Sequence, residues 1–353
     1  MPVVGARGHP DRRTVAGIIV GLAVIVIVFA YVLPKIADYG EVWRVVSSLS
    51  WWWILALLAA SALFILSDAP PWMTVLPGLG FFNALRMDLA GSALSQVLPG
   101  GAAVNAATQF GMLRGWGFQG RPVALAVSLT TLWNWLFTYG APVVAITALS
   151  FEGGKEQALG PVALVGLVLV VALAGAIVTA LWSPPMAQGI GDVSARVVTR
   201  LRKLVHKGAV QWGGADLVRF RADAITLLRR RWPALTLTTV VNQLAAFLVL
   251  VVSLRALGVS RSEVDVVEAF AAWSLVRALG SIPVTPGGLG VEEVALSGAL
   301  VGLGGHNAEA VAATLVYRFM TFGPSVLLGL ASVATNNLGR PKVKVARPQA
   351  QSP

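Results

Sequence analysis

Apolar runs long enough to cross a bilayer recur along the chain, separated by short polar or Gly/Pro-rich stretches. A hydrocarbon core about 30 Å thick needs roughly 20 apolar residues in helical form. Six runs meet that need and predict full transmembrane helices: 15–33, 51–67, 122–149, 161–182, 234–256 and 309–335. Trp51, Trp52 and Trp53 open the second run, Trp182 closes the fourth and Trp232 precedes the fifth. These indoles fall where headgroups favour them. The first run follows arginines, as in a secretory leader, but it is too long for one. Pro34-Lys35-Ile36 is no small-residue cleavage site, so the run reads as a retained helix.

Two regions depart from this pattern. Segment 84–113 reads as two apolar halves around Leu98-Pro99-Gly100-Gly101, and 266–304 as two halves around Thr285-Pro286-Gly287-Gly288. Each half is about 13–17 residues, short for a crossing. In hydrocarbon, irregular backbone survives only where protein or a wet cavity covers it.

Charge decides how these regions run. Only 12% of the 353 residues are charged and 56% are hydrophobic, against about 25% charged in soluble domains. The net charge is +11, and most of the basic residues lie in three segments. These are the N-terminal tail 1–14 (Arg7, Arg12, Arg13), the central segment 183–233 (Arg196 to Arg231) and the C-terminal tail 336–353 (Arg340, Lys342, Lys344, Arg347). By the positive-inside rule all three face the cytoplasm. Parity is satisfied if each broken region is a re-entrant hairpin with no net crossing. Two full crossings per region would satisfy it as well, so the short halves and the Pro-Gly-Gly breaks carry the distinction. Because each basic segment abuts a long apolar run, nucleic acid is not the expected partner. Stripes such as Leu217, Phe220, Ala224, Leu227 and Leu228 fit helices lying on anionic inner-leaflet lipid.

Span 51–67, hairpin 84–113 and span 122–149 form one unit; span 234–256, hairpin 266–304 and span 309–335 form another. Pro99 and Pro286 lie 187 positions apart, and Val123 to Val127 corresponds to Ala310 to Thr314 at the same offset. With the topology above, the units are inverted, which is the sequence signature of a transporter site. The expected fold is thus an all-α polytopic integral membrane protein. It has six transmembrane helices and two re-entrant helical hairpins in an inverted repeat, with first membrane half 15–182 and second half 234–335.

Candidate chemistry concentrates at the second break. Gly287, Gly288 and Gly290 permit chain reversal after Pro286. A helix starting near Gly290 presents free N–H groups suited to an anion, unless Glu292 and Glu293 complement them. Arg277 and Arg318 lie in apolar helices, where an unpaired charge costs at least about 2.5 kcal/mol; Glu293 is the expected partner of Arg318. Near the first break, Pro99, Gly100, Gly101, Asn105 and Gln109 are the corresponding candidates. Asp88, Ser95, Gln96, Thr108, Asn134 and Asn242-Gln243 are further polar positions in apolar sequence. Such residues serve as glue between helices or line a polar cavity. The chain has no cysteine, and its histidines (His9, His206, His306) are scattered through polar or Gly-rich stretches. No metal or cofactor is expected.

Pro286-Gly287-Gly288-Leu289-Gly290-Val291-Glu292-Glu293, followed by Ala310 to Tyr317-Arg318, resembles the transmembrane domain of lysylphosphatidylglycerol synthase/flippase proteins. The resemblance covers about 15–335, and in it Glu293 and Arg318 occupy the motif's Glu and Arg positions. It implies a lipid with a phosphate headgroup as partner and residence in the cytoplasmic membrane, with both termini cytoplasmic. The chain stops 18 residues after the last span, so the implied activity is translocation and not aminoacylation. The expected function is a lipid flippase or lipid-linked transporter working by alternating access. It would move an anionic phospholipid, an aminoacylated lipid or a polyprenyl-phosphate-linked lipid, and would not be an enzyme. The alternative is a non-catalytic membrane subunit of a glycolipid or aminoacyl-lipid synthesis complex.

Overall fold

The computed structural model describes residues 39–97, 101–151, 213–281, 288 and 290–336, with single positions 168, 175, 196 and 199. Span 15–33, nearly all of span 161–182, both tails, and the breaks at Pro99-Gly100 and Pro286-Gly287 lie outside the described residues. No strand occurs among those described. The helices are α1 (Tyr39–Ser47), α2 (Trp51–Ser67), α3 (Ala69–Val75), α4 (Phe81–Val97), α5 (Gly101–Gly115), α6 (Gly120–Phe151), α7 (Gly214–Ala256), α8 (Val266–Gly280), α9 (Val291–Leu303) and α10 (Asn307–Asn336).

Among the described residues, four stretches are long and apolar enough to cross a membrane: Trp51–Val75, Gly120–Leu149, Ala215–Ala256 and Asn307–Thr335. They contain the four expected spans that fall among the described residues. The first, Trp51–Val75, is longer than its apolar run implied, because α3 continues α2 after Asp68. Pro70 and Pro71 sit in the first turn of α3, where a missing N–H removes no helical hydrogen bond.

Each broken region folds as a pair of packed short helices, α4 on α5 and α8 on α9. At 1.5 Å per residue, the 15 residues of α5 or α8 span about 22 Å, less than the hydrocarbon core. Gly101 and Gly288, at equivalent offsets in the two breaks, both have positive φ (40° and 67°). α8 begins with Asp265, whose carboxylate accepts from the N–H groups of Val267 and Glu268 at 2.6 and 2.8 Å. This satisfies donors a helix start leaves free.

The packing crosses between units. α4 lies along α10, the last helix of the second unit, and α8 lies along α6, the last helix of the first. The opening spans α2 and α7 pack on each other. Gly329 permits the α4–α10 contact. A Cβ there would collide with the Leu89 carbonyl oxygen and come within 2.5 Å of the Ala93 Cβ.

α7 joins two apolar cores. Its 43 residues extend about 65 Å. Ala224 and Leu235 join a core built on Trp72, Met87, Leu113 and Val123. Leu250, Leu254 and Leu257 join a second, built on Trp273, Leu300 and Val311. The stripe Phe220, Ala224, Leu227 and Leu228 therefore packs on the first core and is not laid on a leaflet as a separate surface helix. Its helix is continuous with the span, which turns those side chains toward α3 and α6. Between the two core segments, α7 carries Thr239, Asn242 and Gln243.

Candidate functional site

The charged cluster sits where α9 begins. Gly290 is the residue before the helix, with φ 86°. Its N–H donates to Glu293 Oε2 at 2.6 Å. The other oxygen of Glu293 accepts from Arg318 Nε at 2.8 Å, and Arg318 Nη1 donates to Glu292 Oε2 at 2.6 Å. One guanidinium from α10 thus bridges two successive carboxylates of α9. Both oxygens of Glu293 are engaged, and its side chain is only 2% exposed, against 14% for Arg318 and 19% for Glu292. Of the N–H groups at the start of α9, Glu293 takes that of Gly290.

Glycine makes this cluster possible. A Cβ on Gly280 of α8 would fall 2.5 Å from Glu292 Oε1, and one on Gly288 would fall 2.7 Å from it. The pair α4 and α5 repeats the device in neutral form. Gly91 of α4 gives room to Asn105 of α5, and Asn105 follows Gly101 by the interval that separates Glu292 from Gly288. Asn105 Oδ1 is buried without a hydrogen-bond partner among the described residues.

Two open cavities adjoin this region. The smaller, about 300 Å³, is lined by Gln96, Thr138, Gly280, Glu292, Arg318 and Thr321, among others. The larger, about 510 Å³, lies between the units. Its walls carry Asp68, Asp88, Asn105, Gln109, Thr131, Asn242 and Gln243. Phe64, Asn134, Trp135 and Arg277 line both cavities.

The polar wall is held by a network. Trp72 Nε1 and Gln109 Nε2 donate to Asp88 Oδ1 at 2.8 and 3.0 Å. Asn242 Nδ2 donates to Asp68 Oδ1 at 2.7 Å, and Gln243 Nε2 to Asn134 Oδ1. Arg277 differs. Its guanidinium carbon stands 5.1 Å from the centre of the Trp273 ring, a cation–π contact. Among the described residues it makes no ion pair. Trp273 is itself fixed by donating to the Tyr317 hydroxyl at 2.8 Å.

Of the residues singled out in the sequence, Gly288, Gly290, Glu292, Glu293 and Arg318 form one cluster. Asn105, Gln109 and Arg277 line the larger cavity, and Gly101 starts the helix that carries two of them. Pro99, Gly100, Pro286 and Gly287 lie outside the described residues. Asp68 escaped sequence reading altogether, and Asp88 passed as one polar residue among several. The available signal was a carboxylate at the foot of an apolar run, just before Pro70-Pro71. Gly280 gave no signal, because only its spatial neighbour Glu292 explains it.

No curated protein sequence matches the chain. The family model for the lysylphosphatidylglycerol synthase TM region matches residues 18–329. Matched over most of its length and built from apolar spanning helices, this multi-pass membrane protein belongs to the lysylphosphatidylglycerol synthase transmembrane-region family.

Proposed function

We propose that the protein translocates a phosphate-bearing lipid across the cytoplasmic membrane, with the headgroup passing through the cavity between the two units. Arg277 carries this reading. It is a cation in an apolar helix, on the wall shared by both cavities, with no ion-pair partner among the described residues. Asp68 and Glu292 act on it electrostatically without closing an ion pair, so the guanidinium can still take an anion, and a lipid phosphate supplies one. Arg318 is the weaker candidate, because two carboxylates already occupy it.

The rest of the wall narrows the substrate. Asp68 and Asp88 share the larger cavity with the guanidinium of Arg277. A headgroup with both a phosphate and an ammonium, as in an aminoacylated lipid, complements both ends. The exchanged packing of α4 on α10 and α8 on α6 supports an inverted repeat of two re-entrant hairpins. Rocking of the hairpin pairs against the long helices would open the cavity to each side in turn.

The test is translocation of fluorescent lipid in proteoliposomes. Arg277→Gln is expected to abolish movement while the protein inserts and elutes as wild type. Asp68→Asn with Asp88→Asn is expected to shift preference from amine-bearing to anionic lipid. A wild-type rate in Arg277→Gln sinks the reading. Protein that moves no lipid yet co-purifies with a lipid synthase would replace it with the subunit role.

A further inference from the structure

A third cavity lies away from the one proposed for translocation. It is a groove of about 400 Å³ where the end of α3, the start of α6 and the middle of α7 meet. Its floor is apolar, from Leu76, Pro77, Pro122, Leu125 and Leu227, and its rim carries Arg230 and Arg231. The acidic residue at the groove, Asp223, is already paired: Arg121 Nε lies 2.6 Å from its Oδ2. Arg121 is anchored again by donating from Nη2 to the Arg219 carbonyl at 2.8 Å. Arg230 and Arg231 are exposed, and among the described residues neither has an ion-pair partner. The groove therefore presents two uncompensated cations above apolar surface.

Its depth follows from α7 itself. Arg229 to Arg231 end the basic part of the helix, and Trp232 and Pro233 mark the change to the apolar span. Trp232 is exposed, as an indole at the headgroup level is expected to be. Below it, Leu237, Val241, Leu244 and Leu248 are all exposed. They follow Arg230 at intervals of seven, four, three and four residues, the spacing of one helix face. From Leu237 to Leu248 that face runs about 16 Å, close to half of a 30 Å hydrocarbon core.

We infer that this groove is a binding site for one anionic phospholipid, its phosphate on Arg230 and Arg231 and an acyl chain along the exposed face of α7. The occupant is a lipid and not a free anion, because the cationic rim continues directly into an apolar track. Opposite charge at the headgroup level supplies the attraction, and burial of the α7 face against a chain supplies the rest. The site is separate from the translocation cavity: the two share no lining residue. A lipid held here would brace α3, α6 and α7 against one another.

The site is tested by native mass spectrometry of protein released from nanodiscs of equal phosphatidylglycerol and phosphatidylcholine. Wild type is expected to retain phosphatidylglycerol several-fold over phosphatidylcholine. Arg230→Gln with Arg231→Gln should bring the ratio to that of the surrounding bilayer. Arg261→Gln, a charge loss in the α7–α8 loop, should leave it unchanged. Equal retention of both lipids by wild type, or undiminished preference in the double variant, would overturn the site. So would complete displacement by excess inorganic phosphate, since that marks a free-anion site. Because both arginines are exposed, the double variant should keep its helix content, and its lipid translocation rate reads the other proposal separately.

Discussion

At the scale of single residues, the Glu292–Glu293–Arg318 cluster separates binding from bracing. Removing one partner of a buried ion pair typically costs about 3–5 kcal/mol, because the remaining charge loses its compensation. Arg318→Ala leaves two carboxylates without their shared cation. Glu293→Gln keeps an acceptor for the Gly290 N–H and leaves Arg318 still bound to Glu292. Thermal unfolding in detergent should therefore show a larger loss of melting temperature for Arg318→Ala than for Glu293→Gln. Gly280→Ala should resemble a weakened cluster although it changes no charge, since its Cβ would displace Glu292 from Arg318. An unchanged melting temperature in Gly280→Ala would contradict the close approach. The motif Glu and Arg were legible from sequence because charge in apolar helix is conspicuous. Gly280 was not, because a glycine's use lies in what stands opposite it.

At the scale of elements, seven of the described helices follow directly from apolar length and the Pro-Gly breaks: α2, α4 to α6, and α8 to α10. Helix α3 was hidden because Asp68-Ala69-Pro70-Pro71 resembles a span's end, yet proline in a first turn is compatible with helix. The continuity of α7 was hidden, because its apolar half reads as a span and its basic half as a separate helix on the membrane surface. Gly329→Leu, placing bulk between α10 and α4, should cost about 1–3 kcal/mol or more by overpacking. It should lower the melting temperature more than the same change at Gly302, where a Cβ meets open space. The α7–α8 loop offers a pH test. The Ser260 N–H and hydroxyl donate to Glu263 Oε2 at 2.6 and 3.0 Å. They hold this half-buried carboxyl below its ordinary value of 4.5. A folded value below the unfolded one adds stability above the unfolded value and loses it as pH falls through the folded one. The melting difference between wild type and Glu263→Gln is thus expected to shrink on acidification below about pH 4.5.

At the scale of the whole molecule, the two units are interlocked, and this was the least legible property. Periodicity assigns helices but says nothing of which distant helix each one meets. The cysteine-free chain allows the proposed rocking to be examined directly. The Tyr139 hydroxyl lies 2.8 Å from Ser281 Oγ, joining α6 to the end of α8. Tyr139→Cys with Ser281→Cys, bridged by a short reducible bifunctional reagent, is expected to halt lipid movement, and reduction should restore it. Transport that continues in the bridged protein would exclude relative motion at that contact. The interlocking also bears on how the chain is made. At about 5–20 residues per second, α10 is synthesised roughly 10–40 s after α4, yet α10 is the helix along which α4 lies. Until then α4 and its Asp88 wait without that neighbour, packed among the described helices on α3 and α5. Completion of the last helix is the event that closes the fold, so a chain stalled before residue 307 should be a substrate for membrane proteases.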